Sequence, residues 1–409
     1  MKSPCRWVLS VVSVALILLN AKQAQAAALT VPKEQAGIDM QMSAFYQFGD
    51  FVTFTAQLNS PVQIQKASIL IHDSTQIITH VEPVTFNEQG ISEYRFDTRQ
   101  NILRPFTTVL WRYELTLADG SIVQSATGSI RYDDDRFSWQ TLDADALHVH
   151  WYNGDQQFGV SALNAGQAGL QTIAGVFPPD LSQPIDVYIY ANGNDLRGTL
   201  YGAETWAAGH ADSAAGVVMV TVERDVNQNA VMEQRIPHEI MHIMLYRQIG
   251  AGYKNIPAWL REGIAMLAEV YPNPDYDSVL QDATSRNALI PIRDLCASFS
   301  PQIDTAFLAY AESRSFTNYL RGQYGADGLL TLAKAYADGV DCERGTERAF
   351  GVTLAKLERD WHVNALGQTS ASSIFVRLAP YLVLLCMVIF FPLIGAIGSS
   401  MKKKGDSNG

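Results

Sequence analysis

Pro237-His238-Glu239-Ile240-Met241-His242 carries two histidines four residues apart, with a glutamate directly after the first. On a helix, residues i and i+4 project from nearly the same side, so His238 and His242 can offer two imidazole nitrogens to one ion. Zinc takes nitrogen and oxygen ligands tetrahedrally, and a catalytic site keeps one position open. Glu239, next on the helix surface, can point at water on the ion without ligating it, which is the place of a general base. A third ligand should come from another element. With nineteen residues between His242 and Glu262, Pro257-Ala258-Trp259-Leu260-Arg261-Glu262-Gly263-Ile264-Ala265 supplies Glu262 on a second amphipathic helix, reached through a turn at Gly250-Ala251-Gly252. Glu269, seven residues after Glu262 and read as lying on the same helix face, is the alternative ligand or a partner that orients a histidine. Pro237 is costly inside a helix, so either the first helix starts at about Ile236, the preferred reading, or Pro237 kinks it immediately before His238.

The pair His238–His242 and Trp259-Leu260-Arg261-Glu262-Gly263-Ile264-Ala265 resembles the gluzincin metallopeptidases, most closely the peptidase MA-like domains. The resemblance spans about 146–366. It implies that His238, His242 and Glu262 bind Zn2+, that Glu239 is the catalytic base, and that a sheet edge beside the cleft pairs with an extended peptide; Gly216–Val220 is the expected edge. The Gly-x-Met-Glu-Asn segment by which related aminopeptidases hold a free amino end is not found. Tyr310, in the segment after the two helices, is a candidate oxyanion donor or a packed core tyrosine.

The two ends of the chain read as targeting segments. Lys2 and Arg6, the apolar run 8–19 and Ala24-Gln25-Ala26 form a secretory signal peptide pattern over 1–26. Residues 378–397 contain no charge and are followed by Lys402-Lys403-Lys404, the pattern of a transmembrane helix with a cytoplasmic tail. The expected span is 374–397 and the tail 398–409. Between the ends lie 23 basic and 40 acidic side chains, a net charge of −17, which excludes a general nucleic-acid binder. Cys296 and Cys342, in a compartment that permits oxidation, are either a disulfide or two buried thiols.

Between these ends the chain is expected to be α+β. Residues 27–135 show about seven short alternating strands, among them 51–58, 67–72, 92–96, 109–117 and 129–132, separated by turns such as Glu88-Gln89-Gly90. This suits an immunoglobulin-like β-sandwich with no catalytic spacing. Asp133-Asp134-Asp135-Arg136 opens an acidic linker or boundary strand up to Ala146. Residues 136–368 then form the metallopeptidase-like domain: strands at 147–152, 185–190 and 217–222, helices at 158–176, 303–323, 327–338 and 346–364. His148 and His150 share one side of a strand and are capped strand residues or a second metal site.

Together these features predict a membrane-anchored zinc metallopeptidase, an endopeptidase acting on peptide or protein substrates outside the membrane, with Glu239 activating water. The other reading is a membrane-tethered binding protein with a non-catalytic metal site. No oligomeric state follows from the sequence.

Overall fold

The computed structural model describes residues 37–75, 78–200, 208–368 and 379–385. The expected signal peptide, the tail 398–409 and the expected span other than 379–385 lie outside these residues. Residues 379–385 are helical, and among the described residues no helix is long and apolar enough to cross a membrane.

The fold is mixed α+β. Its first part holds β1 (Met40–Gln47), β2 (Phe51–Leu58), β3 (Ile64–Asp73), β4 (His80–Val84), β5 (Ile91–Asp97), β6 (Thr107–Leu117), β7 (Ile122–Gln124) and β8 (Gly128–Tyr132). These form two antiparallel sheets, β1-β2-β5 and β4-β3-β6-β7, with β8 also paired to β6. Alternation in the sequence sets the two faces: Val52, Phe54 and Ala56 of β2 point inward, as do Val109, Trp111 and Tyr113 of β6. These side chains meet Ile69, Ile71 and Phe96 in one core shared by both sheets.

The acidic run expected as a linker is a built joint. Asp134 is fully buried and accepts from Arg136 Nε (2.7 Å) and Nη2 (2.6 Å), the Tyr190 hydroxyl (3.0 Å) and Thr199 Oγ1 (3.0 Å). A buried carboxylate is tolerable when donors replace its water shell, and five do so here, the fifth being the Arg136 amide at 3.2 Å. The sequence pattern alone, a cluster of charges, gives no sign of this burial.

β9 (Gln140–Ala144), β10 (Leu147–Trp151), α1 (Gln156–Ala174), β11 (Ile185–Tyr190), α2 (Gly193–Arg197), β12 (Gly209–Asp212) and β13 (Val217–Thr221) follow. The strands build a mixed sheet ordered β12-β13-β11-β10-β9. β10, β11 and β13 are parallel; β9 and β12 are antiparallel to their neighbours. The expected edge at Gly216–Val220 is corrected: β13 is interior, and β12 is the edge. The reason is written in Val217-Val218-Met219-Val220-Thr221, which is apolar on both faces and buried at every position, as an inner strand must be. One face of the sheet packs on α1 and the helices beyond; the other holds Tyr188 and Tyr190 against Phe106, Phe137 and Trp139. Arg104 Nη1, just before β6, reaches both carboxylate oxygens of Asp212 at 3.1 and 3.2 Å, so the first part of the chain grips one end of β12.

The helical part comprises α3 (Gln228–Ile249), a 3-10 turn Gly250–Asn255, α4 (Ala258–Met266), α5 (Asp275–Ser285), α6 (Ile303–Ala337), α7 (Cys342–Phe350) and α8 (Leu354–Asn364). α3 begins eight residues before the expected start, and Pro237 lies inside it. A proline at this position deprives the carbonyl of Glu233 of its helical donor. The amides of Val270 (2.9 Å) and Tyr271 (3.4 Å) donate to that carbonyl instead. The ring packs on α1 at Gly169, where a Cβ would approach Pro237 Cβ to 2.6 Å. α6 is broken at Gly325 (φ 73°), and the expected helix 346–364 is two, because Gly351 (φ 69°) ends α7 and the Thr353 side chain caps α8. Trp259 of α4 is fully buried, its ring 5.0 Å from that of Phe316 on α6, and a Cβ on Gly263 would collide with Thr317 Oγ1.

Cys296 and Cys342 form a disulfide with Cα atoms 6.1 Å apart, joining the segment before α6 to the start of α7. Unreduced protein should therefore show neither thiol to an alkylating reagent. Cys342→Ser should cost roughly 3–4 kcal/mol of unfolding free energy, from the chain entropy returned to the unfolded state. A second prediction concerns Glu312 on α6. It is fully buried, accepts from the Ile290 amide at 2.9 Å, and has its other oxygen unpartnered. Burial raises its pKa from 4.5 to about 8; the Ile290 hydrogen bond opposes this and Glu358 adds to it. Between those values the folded protein holds a proton that the unfolded chain has released, so stability falls as pH rises through that window. Glu312→Gln should flatten the slope and raise stability at pH 8 by about 2–4 kcal/mol, read from melts at pH 5 and pH 8.

Candidate metal centre

Two helices bring the donors together. His238 and His242 leave α3 on one side, one turn apart, and Glu262 comes from α4, which Trp259 and Gly263 seat on α6. Glu262 Oε2 lies 3.5 Å from His238 Nε2 and 3.4 Å from His242 Nε2. One donor atom from each residue falls within 4.8 Å of the others, and these three form the metal-holding cluster found among the described residues.

What stands behind the histidines decides which nitrogen faces the cluster. His238 Nδ1 meets Glu269 Oε1 at 3.0 Å, and His242 Nδ1 meets the Tyr253 hydroxyl at 2.9 Å. With both Nδ1 atoms held, both Nε2 lone pairs turn toward Glu262. Donors placed tetrahedrally at roughly 2.0–2.2 Å from zinc sit roughly 3.3–3.6 Å from one another, so these separations fit such an ion. Burial favours neutral His238, yet Glu262, Glu269 and Glu239 outweigh it and hold the imidazole well above its ordinary pKa. Burial likewise raises Glu262, but His242, His238 and Arg261 take its carboxyl well below the usual range. The cluster thus concentrates negative charge around two bases, which is what a divalent cation needs.

Glu239 is buried and borders the same cleft, a space of about 600 Å³. Its carboxylate lies against β12, where a Cβ on Gly209 would collide with Oε1. The missing side chain at Gly209 lets the edge strand pass directly over the acid. Tyr310 also borders the cleft, its ring centroid 6.5 Å from that of His238. Burial, followed by Glu262 and Glu239, raises its pKa well above the ordinary value.

Of the two roles expected for Glu269, the structure shows the partner that orients a histidine, since it sits behind His238; its expected place on the helix face of Glu262 is corrected, because it lies past the end of α4. It reaches that place because Val270 and Tyr271 are fastened to the Glu233 carbonyl. Tyr253 was not foreseen. It stands in the 3-10 turn, where no helical or strand period predicts which way a side chain points. His148 and His150 both meet Asp186 Oδ1, at 3.2 and 3.1 Å, and His150 also meets Thr141; they are capped strand histidines, and among the described residues they form no metal-holding group of three.

Comparisons with known proteins agree with this geometry where they bear on it. A search of curated proteins returns no match. Among solved structures, a myokine structure covers 24% of this chain and 97% of its own at 5% identity, with a TM-score of 0.20. A carbohydrate-binding module family 56 β-1,3-glucan binding domain covers 23% and 99% at 15% identity and 0.17. A polysaccharide deacetylase from Bacillus cereus covers 48% and 66% at 10% identity and 0.21. Scores this low carry no argument about fold or function. Residues 165–367, which include α3, α4, α6 and all three clustered donors, match the family model described as the Peptidase MA superfamily. This stretch of the chain is a Peptidase MA superfamily domain.

Proposed function

We propose that the protein is a membrane-anchored, zinc-dependent endopeptidase, with His238, His242 and Glu262 as the metal ligands and Glu239 as the general base. The observation that carries this reading is the arrangement of the histidines: two Nε2 atoms and one carboxylate oxygen converge, while each Nδ1 is committed to a neighbour. When bound, zinc would polarise the scissile carbonyl and lower the pKa of attacking water.

The rest of the chemistry falls to the chain's own side chains. Glu239 takes the proton of the water as it attacks and delivers it to the leaving nitrogen. Tyr310, which borders the cleft, would donate to the carbonyl oxygen as negative charge grows there. β12, the sheet edge, offers backbone N–H and C=O groups to an extended peptide, and Gly209 permits that peptide to lie close to Glu239. Glu269 and Tyr253 keep the imidazoles turned the right way. A purely structural metal site would have no use for Glu239 beside it.

The anchoring half of the proposal rests on the uncharged run 378–397 with Lys402-Lys403-Lys404 after it, and on the signal pattern in 1–26. Together they would place the catalytic part outside the membrane and the C-terminus inside. The order β1-β2-β5 facing β4-β3-β6-β7 supports reading the first part as an immunoglobulin-like sandwich, a spacer or a recognition module.

Cleavage of a generic unfolded protein should require zinc and stop with a chelator. Glu239→Gln should keep zinc at one equivalent and lose at least about 10²-fold in kcat, since it removes the acid–base group and no ligand; wild-type turnover in that variant would take Glu239 out of the mechanism. Glu269→Gln should weaken zinc binding by about 10–100-fold, measured by competition with a chromophoric chelator. Unaltered affinity would mean that the imidazole is oriented without it.

A further inference from the structure

The cleft carries one more charged group that the proposed chemistry leaves unused. Arg235 stands one turn before His238 on α3, so both side chains leave the helix on the same side and both border the cleft. Its Nη1 donates to the Thr221 carbonyl at 2.6 Å. Glu223 and Glu239 act on it only through space, and among the described residues no carboxylate forms an ion pair with it. The other cleft arginine differs: Arg261 Nε faces Glu262 Oε1 at 3.3 Å. Burial, the largest influence on Arg235, pulls its pKa below the ordinary value, yet a guanidinium stays charged across the physiological range.

Gln234, Asn273 and Tyr276 border the cleft with it, and Gln234 donates to the Tyr276 oxygen. Phe307 closes the apolar side, stacked on Tyr276 with ring centroids 4.8 Å apart. A half-buried guanidinium with most of its fork uncommitted, flanked by amides and a phenol, is built to take a planar oxyanion through two parallel hydrogen bonds.

We propose that Arg235 is a specificity-determining residue whose guanidinium receives a carboxylate of the substrate close to the scissile bond. The carboxylate is either an acidic side chain or the peptide's own C-terminal group. The inference rests on the peptidase reading, since it needs a peptide in this cleft. Neighbours three apart on a helix lie roughly 5–6 Å from each other at Cβ, so the carboxylate belongs to a residue next to, or nearly next to, the bond cut beside His238. The remaining role open to Arg235 is to strap α3 to the end of β13 through Thr221. That role predicts lower stability on substitution but no change in the choice among substrates.

The test uses the full-length chain in detergent and acetylated decapeptides that carry a single Glu, or its Gln isostere, at each position in turn. Each peptide is made as free acid and as C-terminal amide. The wild type should prefer Glu over Gln, or acid over amide, by about tenfold or more in kcat/KM at one position only. An internal Glu effect assigns the carboxylate to a side chain, and an acid-over-amide effect assigns it to the chain end. Arg235→Gln should erase the preference while neutral peptides are still cut, and Arg235→Lys should retain part of it. A wild type indifferent to charge, or a preference that survives in Arg235→Gln, overturns the proposal, and the wild-type result stands even if the variant fails to fold. Should no peptide be cleaved, the peptidase reading fails separately, and calorimetric binding of the same peptides to wild type and Arg235→Lys decides this inference. Tighter binding of one carboxylate peptide, weakened in the variant, supports it; equal or absent binding ends it.

Discussion

A proline inside a helix frees one carbonyl, and in α3 that carbonyl belongs to Glu233. Much of the site follows from what takes its place. The amides of Val270 and Tyr271 dock on the freed oxygen, which fixes the chain where it leaves α4 and sets Glu269 behind His238. The same proline ring presses on α1 at Gly169. The break in hydrogen bonding is therefore a joint between three elements, placed one residue before the first proposed ligand. A helix former at 237 would satisfy Glu233 internally and leave the segment carrying Glu269 without its fastening.

The donor set was legible because helical geometry does not depend on context. Residues four apart on a helix share a side whatever surrounds them, so His238 and His242 could be paired from spacing, and Trp259-Leu260 with Gly263 marked a second helix that must pack tightly. The structure brings Glu262 to both Nε2 atoms and explains Gly263 by its contact with α6. Of the groups behind the ligands, Glu269 was named as a partner able to orient a histidine, though on the wrong element; Tyr253 was not, because it points from a 3-10 turn and is aimed by tertiary contacts alone.

The misplaced features share that cause. Pro237 was read with the usual cost of a proline, but the cost vanishes when other amides use the freed carbonyl. The sheet edge that the resemblance implies was assigned to 216–220; an all-apolar strand is more at home inside a sheet, and the short polar Gly209-His210-Ala211-Asp212 is a better edge. Asp134 looked like part of a solvated linker because burial of a carboxylate becomes visible only when Arg136, Tyr190 and Thr199 converge on it. Strand alternation before it needed no such help, which is why the five strands given bounds there were read nearly to their ends, while β1, β4 and β7 were not placed.

The grip of Arg104 on Asp212 joins the two halves of the molecule at an unexpected place. β12 is only four residues long and, as the outermost strand, has backbone neighbours on one side. The leading half thus holds the end of β12, and a displacement of that half would pull on the strand through Asp212.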